Sequence, residues 1–238
     1  MGIRTTIQRK IIDPIQFRFD IFPYFPYQPL PWLGLKSALR AESTIKRWNA
    51  IEKCLKTETV DSAMDIGCNV GFFCFSLAEK GIPTLGVEAD ERVLRIARYA
   101  ARKINTSAVS FLNMHVSPEN VRLLPSVDVV TVMSVWHHWC GSYGFEEATK
   151  LLGTIWSKSQ KLMFFESGQR DIVGADGLPK YGLPKMEPSP KEWFTRYLDK
   201  TCIGGRVYHV GDFPAFSSSG NGQEPDTIRT LFRLSREK

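Results

Sequence analysis

Short apolar runs alternate with amphipathic stretches along most of the chain, and this alternation predicts strands separated by helices. Runs rich in apolar and β-branched residues, typical of buried strands, occur at 62–66, 84–88, 108–114, 127–135 and 161–167. Between them, apolar residues return at three- and four-residue steps, which is typical of helices that bury one face. Val93, Ile96 and Ala100 would share such a face in a helix that begins after Asp90, a residue type favoured at N-caps.

Strands separated by helices imply parallel βαβ units. Two later apolar runs, at 206–210 and 230–235, are predicted as closing strands. We therefore predict an α/β protein with a Rossmann-like, doubly wound, mostly parallel seven-stranded sheet. Ligands of such sheets bind beyond the carboxyl ends of the strands, near the point where the strand order reverses.

The N-terminal segment differs from the rest in composition. Four prolines between residues 23 and 31 exclude a helix there, so an extended strap is predicted at 1–36, followed by one domain at 37–238. The net charge is +6, and the first 50 residues carry eight Lys/Arg against three Asp/Glu, whereas the remainder carries 23 against 22. A basic, aromatic strap could contact an anionic membrane surface or a nucleic acid, or could pack its aromatic residues onto the domain.

Other features of the chain limit the class of protein. No run approaches the roughly 20 apolar residues of a membrane span. The five cysteines are scattered and odd in number, which argues against a disulfide framework or a zinc site. We expect a cytoplasmic protein, with peripheral membrane contact through the strap as an open alternative, no bound metal and no obligate protein partner.

A glycine-rich loop, in the stretch "MDIGCNVGFF", joins the first predicted strand to a helix. Gly67 and Gly71 suggest that a ligand closely approaches the backbone there. The third glycine of a dinucleotide fingerprint is replaced by an aromatic residue, and no Gly-Lys-Ser/Thr follows, so a phosphate-binding loop is not indicated. Glu88 ends the second strand, 21 residues after Gly67, where a carboxylate can accept both hydroxyls of a ribose.

The stretches "MDIGCNVG" and "GVEAD" resemble the class I S-adenosylmethionine-dependent methyltransferases, over about residues 45–167. The resemblance implies S-adenosylmethionine as cofactor and residues 37–238 as the methyltransferase domain. It implies that the glycine loop passes under the methionine part, that Glu88 binds ribose and that the residues after strand three flank adenine, where Ser117 and Glu119 stay open as alternatives. The cofactor-binding residues carried over are Asp65, Gly67, Cys68, Asn69, Gly71, Glu88, His115, Val116 and Ser134.

The methyl acceptor should lie past strands four and five. Strand four runs into "SVWHHW", where His137 or His138 could act as general base, because imidazole titrates near neutrality. Alternatively, one histidine only holds the loop by a hydrogen bond while the aromatic side chains exclude water. Glu166, at the end of strand five, is a further catalytic candidate. The predicted substrate contacts are Trp136, Trp139 and two residues of a Gly/Pro-rich segment that could cover the cleft, Arg170 and Tyr181.

Within the family, "SVWHHW" resembles the methyltransferase domains of bacterial O-antigen chain terminators and the methylphosphate-capping enzymes of small RNAs. A looser likeness, through the "KRW" helix, is to enzymes that modify wobble uridine in tRNA. We predict O-methylation of a small-molecule or glycan-type acceptor, with phosphorylated or lipid-linked acceptors included. The alternatives are an RNA methyltransferase that acts on a terminal phosphate or on tRNA, and a non-catalytic scaffold.

Overall fold

The computed structural model describes residues 28–34, 41–169, 180–215 and 227–236. These residues contain one seven-stranded sheet with helices on both faces. The strands are β1 (Ala63–Ile66), β2 (Thr84–Glu88), β3 (Val109–Asn113), β4 (Val127–Met133), β5 (Ser159–Glu166), β6 (Gly205–Ala215) and β7 (Thr227–Arg236). The helices are α1 (Ala41–Leu55), α2 (Phe72–Ala78), α3 (Glu91–Ile104), α4 (Trp136–Tyr143), α5 (Phe145–Lys158) and α6 (Pro190–Thr201).

The strand order across the sheet is β3-β2-β1-β4-β5-β7-β6. The five strands β1 to β5 run parallel, whereas β7 is antiparallel to both β5 and β6. The predicted Rossmann-like, mostly parallel seven-stranded α/β sheet is therefore confirmed. Because β1 pairs with both β2 and β4, the topological switch point of the sheet, where the strand order reverses, is at β1. A ligand site is expected at the carboxyl end of β1.

The two faces of the sheet are covered by different helices. On one face, α4, α5 and α6 bury large side chains such as Trp136, Ile155 and Phe194. On the other face, α1 and α2 bury Ile51 and Phe73, and α3 packs beside α2. The apolar residues that predicted amphipathic helices are the ones that form these layers, as hydrophobic burial requires.

Part of the predicted strap packs onto the domain. Leu30 is buried, and the Trp32 ring lies 5.7 Å from Phe72 and 5.3 Å from Phe75 of α2. The Trp32 indole N–H donates to Glu79 at 2.5 Å. Most of the strap and its predicted boundary at residue 36 lie outside the described residues, so the division of the chain stays a prediction. Among the described residues, no helix is both long and apolar enough to cross a membrane.

Two elements differ from what the pattern indicates. No separate helix was predicted between β4 and the next amphipathic stretch, but residues 136–143 form α4. This helix lacks the usual alternation of faces, because aromatic and apolar residues dominate it and Trp136, Trp139 and Cys140 are all buried. Strand β6 is also longer than the predicted 206–210, because it continues through a register shift between His209 and Gly211.

Candidate active site

The carboxyl ends of β1, β2 and β4 open into a cavity of about 700 Å³, which is within the size range of small-molecule sites. We call it the main cavity. Its wall is formed by the loop after β1, the ends of β2 and β3, the first turns of α4, the residue Tyr181 and the start of β7. The polar residues on the wall are Gln28, Asn69, Glu88, His115, Ser134, His137, His138, Ser142, Tyr181 and Arg229.

The glycine loop has backbone conformations that residues with a side chain rarely adopt. Gly67, Asn69 and Gly71 all have positive φ, at 71°, 53° and 88°. A methyl group at Gly67 would overlap the Val135 side chain, and one at Gly71 would lie 3.0 Å from the Phe111 ring. The glycines are therefore required by backbone conformation and by neighbouring side chains. The close approach of a ligand to this backbone stays a prediction.

Glu88 fixes the loop while facing the main cavity. Its Oε2 accepts the Asn69 N–H and its Oε1 accepts the Asp90 N–H, each at 2.9 Å. The carboxylate thus has a set orientation and keeps further lone pairs for a ligand. Asn69, which also lines the cavity, has a buried Oδ1 with no hydrogen-bond partner among the described residues. A buried acceptor of this kind favours a ligand donor beside it.

Asp65 and Cys68 lie beneath the loop and do not line the main cavity. Asp65 is 1% exposed and accepts the Thr131 hydroxyl of β4 at 2.5 Å, while the Cys74 thiol lies 3.6 Å from its Oδ2. Burial raises the pKa of Asp65 to about 7. Cys68 is also fully buried. These two side chains support the loop from the sheet side, and the assignment of the two residues to the cofactor site stays a prediction.

The segment after β3 supplies one wall of the main cavity. Met114, His115 and Val116 line it, and the Tyr143 hydroxyl lies 3.3 Å from His115 Nδ1. Ser117 and Glu119, the alternatives left open by sequence, do not line it and hydrogen-bond to each other at 2.5 Å.

His137 has a defined tautomer. The Gly168 backbone N–H donates to its Nδ1 at 3.1 Å, and the Ser167 hydroxyl lies 3.2 Å from the same atom. Because Nδ1 accepts a backbone N–H, the ring proton of neutral His137 must be on Nε2. Burial, together with the charges of His138 and Arg229, lowers the pKa of His137 well below its usual value. The ring is a neutral hydrogen-bond donor at Nε2.

His138 differs from its neighbour in environment. It is exposed at the mouth of the cavity, and its ring lies 4.2 Å from the His137 ring and 5.5 Å from the Tyr181 ring. Partial desolvation and the charge of Arg229 lower the pKa of His138. A solvent-accessible imidazole that is neutral at pH 7 can accept a proton.

The predicted substrate residues separate into two groups. Trp139 and Tyr181 line the main cavity, and α4 accommodates the Tyr181 ring because a side chain at Gly141 would overlap it. Trp136 is fully buried and donates its indole N–H to Tyr197 at 2.8 Å, so the expectation of a substrate contact there is corrected. Arg170 lies outside the described residues.

Glu166 is not a free catalytic acid. It is 2% exposed and forms a buried ion pair with Arg47 of α1. Its Oε1 also accepts the Ser134 hydroxyl at 3.1 Å, and Ser134 has a positive φ of 60° at the end of β4. Glu166 does not line the main cavity, and both of its carboxylate oxygens already have partners within the protein. The predicted catalytic role is corrected: Glu166 holds Ser134, which does line the cavity.

Arg229 is a charged residue of the main cavity that sequence reasoning missed. It is the third residue of β7, is 6% exposed, and donates to the Ser134 hydroxyl at 3.0 Å. No local signal marks it, because it reaches the cavity through the antiparallel pairing of β7, far along the chain from the glycine loop. Gln28 and Ser142 were missed too. Gln28 accepts the Phe72 N–H at the start of α2 at 3.3 Å.

Comparison with known proteins agrees with this geometry. Residues 64–157 match a family described as a methyltransferase domain. This match supports a class I S-adenosylmethionine-dependent methyltransferase domain in this part of the chain. A curated relative is the O-antigen chain terminator bifunctional methyltransferase/kinase WbdD of Escherichia coli, which is 26% identical over 154 residues, covering 64% of this chain and 21% of WbdD. The chain thus spans about a fifth of the length of that relative.

Solved structures with the same fold include methyltransferases with cofactor bound. A crystal structure of WbdD superposes with a TM-score of 0.65 at 19% identity, over 92% of this chain and 46% of that chain. The magnesium protoporphyrin IX methyltransferase ChlM from Synechocystis PCC 6803, solved with bound SAM, gives a TM-score of 0.56 at 12% identity, over 97% of both chains. At these identities the likeness shows the fold alone.

Proposed function

We propose that this methyltransferase transfers the methyl group of S-adenosylmethionine to a hydroxyl oxygen of a small-molecule or glycan-type acceptor that also carries a negative group, such as a phosphate. The observation that carries the acceptor proposal is the position of Arg229. Arg229 lines the main cavity and donates to Ser134, and its positive charge lowers the pKa of His137 and His138. The name of WbdD, an O-antigen chain terminator, is consistent with a glycan-type acceptor.

The residues near the glycine loop fit the cofactor. The unpartnered Oδ1 of Asn69 is an acceptor for the ammonium group, and the oriented carboxylate of Glu88 is an acceptor for the ribose hydroxyls. The side chains of Met114 and Val116 offer an apolar wall for the adenine ring. When bound, the cofactor supplies an activated methyl sulfonium, so the protein must align the acceptor oxygen and remove its proton.

The two histidines would divide this work. His138 would accept the hydroxyl proton of the acceptor as that oxygen is methylated by the bound cofactor, and the product would be a methyl ether. His137 cannot take that role through Nδ1, which already accepts the Gly168 N–H. Its Nε2–H instead donates to an acceptor oxygen and orients it. Trp139 and Tyr181 restrict water around the reacting atoms.

Arg229 favours a compact anion over a polynucleotide. Among the described residues that line the main cavity, it is the one Lys or Arg. Its guanidinium donates to the Ser134 hydroxyl, and that hydroxyl donates to Glu166, which is paired with Arg47. A single buried cation suits one negative group at a defined position, whereas RNA binding uses several phosphate contacts along a basic surface.

Methyl transfer to separated acceptor pools tests the proposal. The full chain is incubated with methyl-labelled S-adenosylmethionine and, in parallel, phosphorylated oligosaccharides, their dephosphorylated counterparts and small RNA. We expect label in the phosphorylated oligosaccharides, and phosphatase should convert these to dephosphorylated glycans that keep the label, because the methyl group is on a hydroxyl. His138→Gln should reduce the label while leaving cofactor binding intact.

The other outcomes separate the alternatives. Label in RNA with none in the glycan pools would replace the proposal with an RNA methyltransferase. Cofactor binding by calorimetry without label in any pool would indicate a scaffold. Labelled oligosaccharide that keeps its phosphate through phosphatase treatment would indicate a methyl group on a phosphate oxygen, as a diester, and would contradict the hydroxyl acceptor.

A further inference from the structure

A second cavity, of about 710 Å³, lies between α1 and the β6–β7 hairpin. We call it the α1–β6 pocket. It shares no lining residue with the main cavity. Its helix side is one stripe of α1, since residues 46, 49, 50 and 53 recur at three- and four-residue steps. Its sheet side is formed by β6 and β7. The lining residues used below are Lys46, Lys53, Cys54, Tyr208, His209 and Arg233.

Positive charge dominates this pocket. Lys46 and Lys53 stand on its helix side and Arg233 on its sheet side. Asp212 is the one acidic residue among the described lining residues, and its Oδ1 lies 3.2 Å from His209 Nε2. Lys46 is also paired with Glu42, one turn earlier on α1. A concave site lined by three cations from two elements concentrates anions.

Arg233 is held in position and has bonding capacity left. It pairs with Tyr208 across the β6–β7 ladder, and its guanidinium carbon lies 4.3 Å from the centroid of the Tyr208 ring. Its Nε is buried and has no hydrogen-bond partner among the described residues. Arg233 also faces Cys54 of α1, where its charge opposes the rise in thiol pKa caused by burial. A stacked, oriented guanidinium with an unused N–H is suited to an oxyanion.

We propose that the α1–β6 pocket is a second anion-binding site, which binds the phosphate group of a small molecule between Arg233 and the lysines of α1. Arg233 would donate to the phosphate oxygens, and Lys53 and Lys46 would neutralise the remaining charge. The site is separated from the main cavity by Arg47, which donates to the carbonyl of Pro214 on the pocket wall at 3.2 Å and pairs with Glu166. The proposal does not depend on methyl transfer.

Binding measured by NMR titration tests the second site directly. Inorganic phosphate and a hexose 6-phosphate are titrated separately into the full chain, at constant ionic strength, and backbone amide shifts are followed. We expect saturable shifts at α1 and β6 with both probes, and tighter binding of the hexose phosphate if the sugar contributes contacts. Arg233→Gln should weaken phosphate binding about tenfold or more. Lys53→Gln, an exposed position where folding is not at risk, should weaken it about threefold to tenfold.

Lys191→Gln is the matched control, because Lys191 is exposed on α6, lies outside both cavities and loses the same charge. It should bind both probes like the unaltered chain. Linear, non-saturating shifts, or equal weakening by Lys53→Gln and Lys191→Gln, would overturn the proposal. Tight, salt-sensitive binding of a short single-stranded RNA at the same amides, without a response to the phosphates, would replace it with a nucleic-acid surface.

Discussion

The two halves of the main cavity are built in different ways. The half proposed for the cofactor comes from a short part of the chain, with Gly67, Asn69 and Glu88 within 22 residues, and its geometry is set by the backbone. The half proposed for the acceptor is assembled from α4, Tyr181 and Arg229, which are far apart in sequence. Local backbone geometry tolerates few substitutions. Side chains that come from distant parts of the chain can be replaced, so that a different ligand is bound, while the sheet beneath them stays the same.

The largest expected effect is that of Gly67→Ala in the cofactor half. The substitution adds the strain of a left-handed alanine, about 1 to 2 kcal/mol, and an overlap with Val135 that adds about 1 to 3 kcal/mol. We expect the loop to shift and the affinity for S-adenosylmethionine to fall roughly 100-fold or more. Urea unfolding and calorimetric titration measure the two effects.

Gly81→Ala separates strain from overlap. Gly81 also has a positive φ, at 77°, but nothing lies within 4 Å of where its methyl group would be. Gly81→Ala should therefore be destabilised only by backbone strain and should bind S-adenosylmethionine normally. Equal losses of affinity in the two variants would show that the close packing of the loop against Val135 is unimportant.

Glu88→Gln tests whether the carboxylate both fixes the loop and binds the cofactor. An amide has one acceptor oxygen, so either the Asn69 N–H or the Asp90 N–H would face an NH₂ group. We expect about a 100-fold loss of cofactor affinity, because a partly buried hydrogen bond to a charged group is lost together with a ribose contact. Glu146→Gln, an exposed residue of α5, is the control. Unchanged affinity in Glu88→Gln would remove Glu88 from the cofactor site.

The contrast between the halves explains which parts were predictable from sequence. The sheet follows from apolar periodicity, and the glycine loop with Glu88 follows from residues close together in the chain. Asp65 and Glu166 look like site residues by position, yet burial in the sheet and pairing with Arg47 withdraw them from the cavity. Sequence gives no direct measure of which side of a strand end faces a cavity.

Arg229 shows the opposite failure. Its role depends on how β7 inserts between β5 and β6, a long-range pairing that no local pattern encodes. Trp136 and Trp139 illustrate the same limit within one helix turn: both are buried in the core, and of the two Trp139 also lines the main cavity. Residue type was informative at these positions, but orientation came from packing.

His138→Gln tests the acceptor half through pH. The pKa of His138 is lowered, so the ring is neutral above its usual pKa of about 6.5 and accepts a proton there. We expect kcat/KM to be constant from pH 8 down to about 6.5 and to fall only at lower pH, where the ring becomes protonated. The glutamine variant should be roughly 100-fold slower at pH 7.5 and should lack this acid limb. An unchanged acid limb in the variant would exclude His138 as the base.

The smallest effect is expected for Arg229→Gln, where one contact in the acceptor half is removed. The guanidinium lies against Ser134 near both histidines, so its loss should raise KM for a phosphorylated acceptor roughly 20-fold. Loss of a nearby positive charge should also raise the pKa of His138 and move the acid limb of kcat/KM to higher pH. Cofactor affinity should change little, because the contacts proposed for the cofactor lie on the other wall of the cavity.

Arg229→Lys keeps the positive charge. It should restore the pH position of the acid limb more fully than it restores KM, since a lysine cannot reproduce a two-point contact. Arg122→Gln, an exposed arginine outside the cavity, controls for the change in net charge. An equal KM increase with the dephosphorylated acceptor would mean that Arg229 maintains the shape of the cavity and does not recognise an anion.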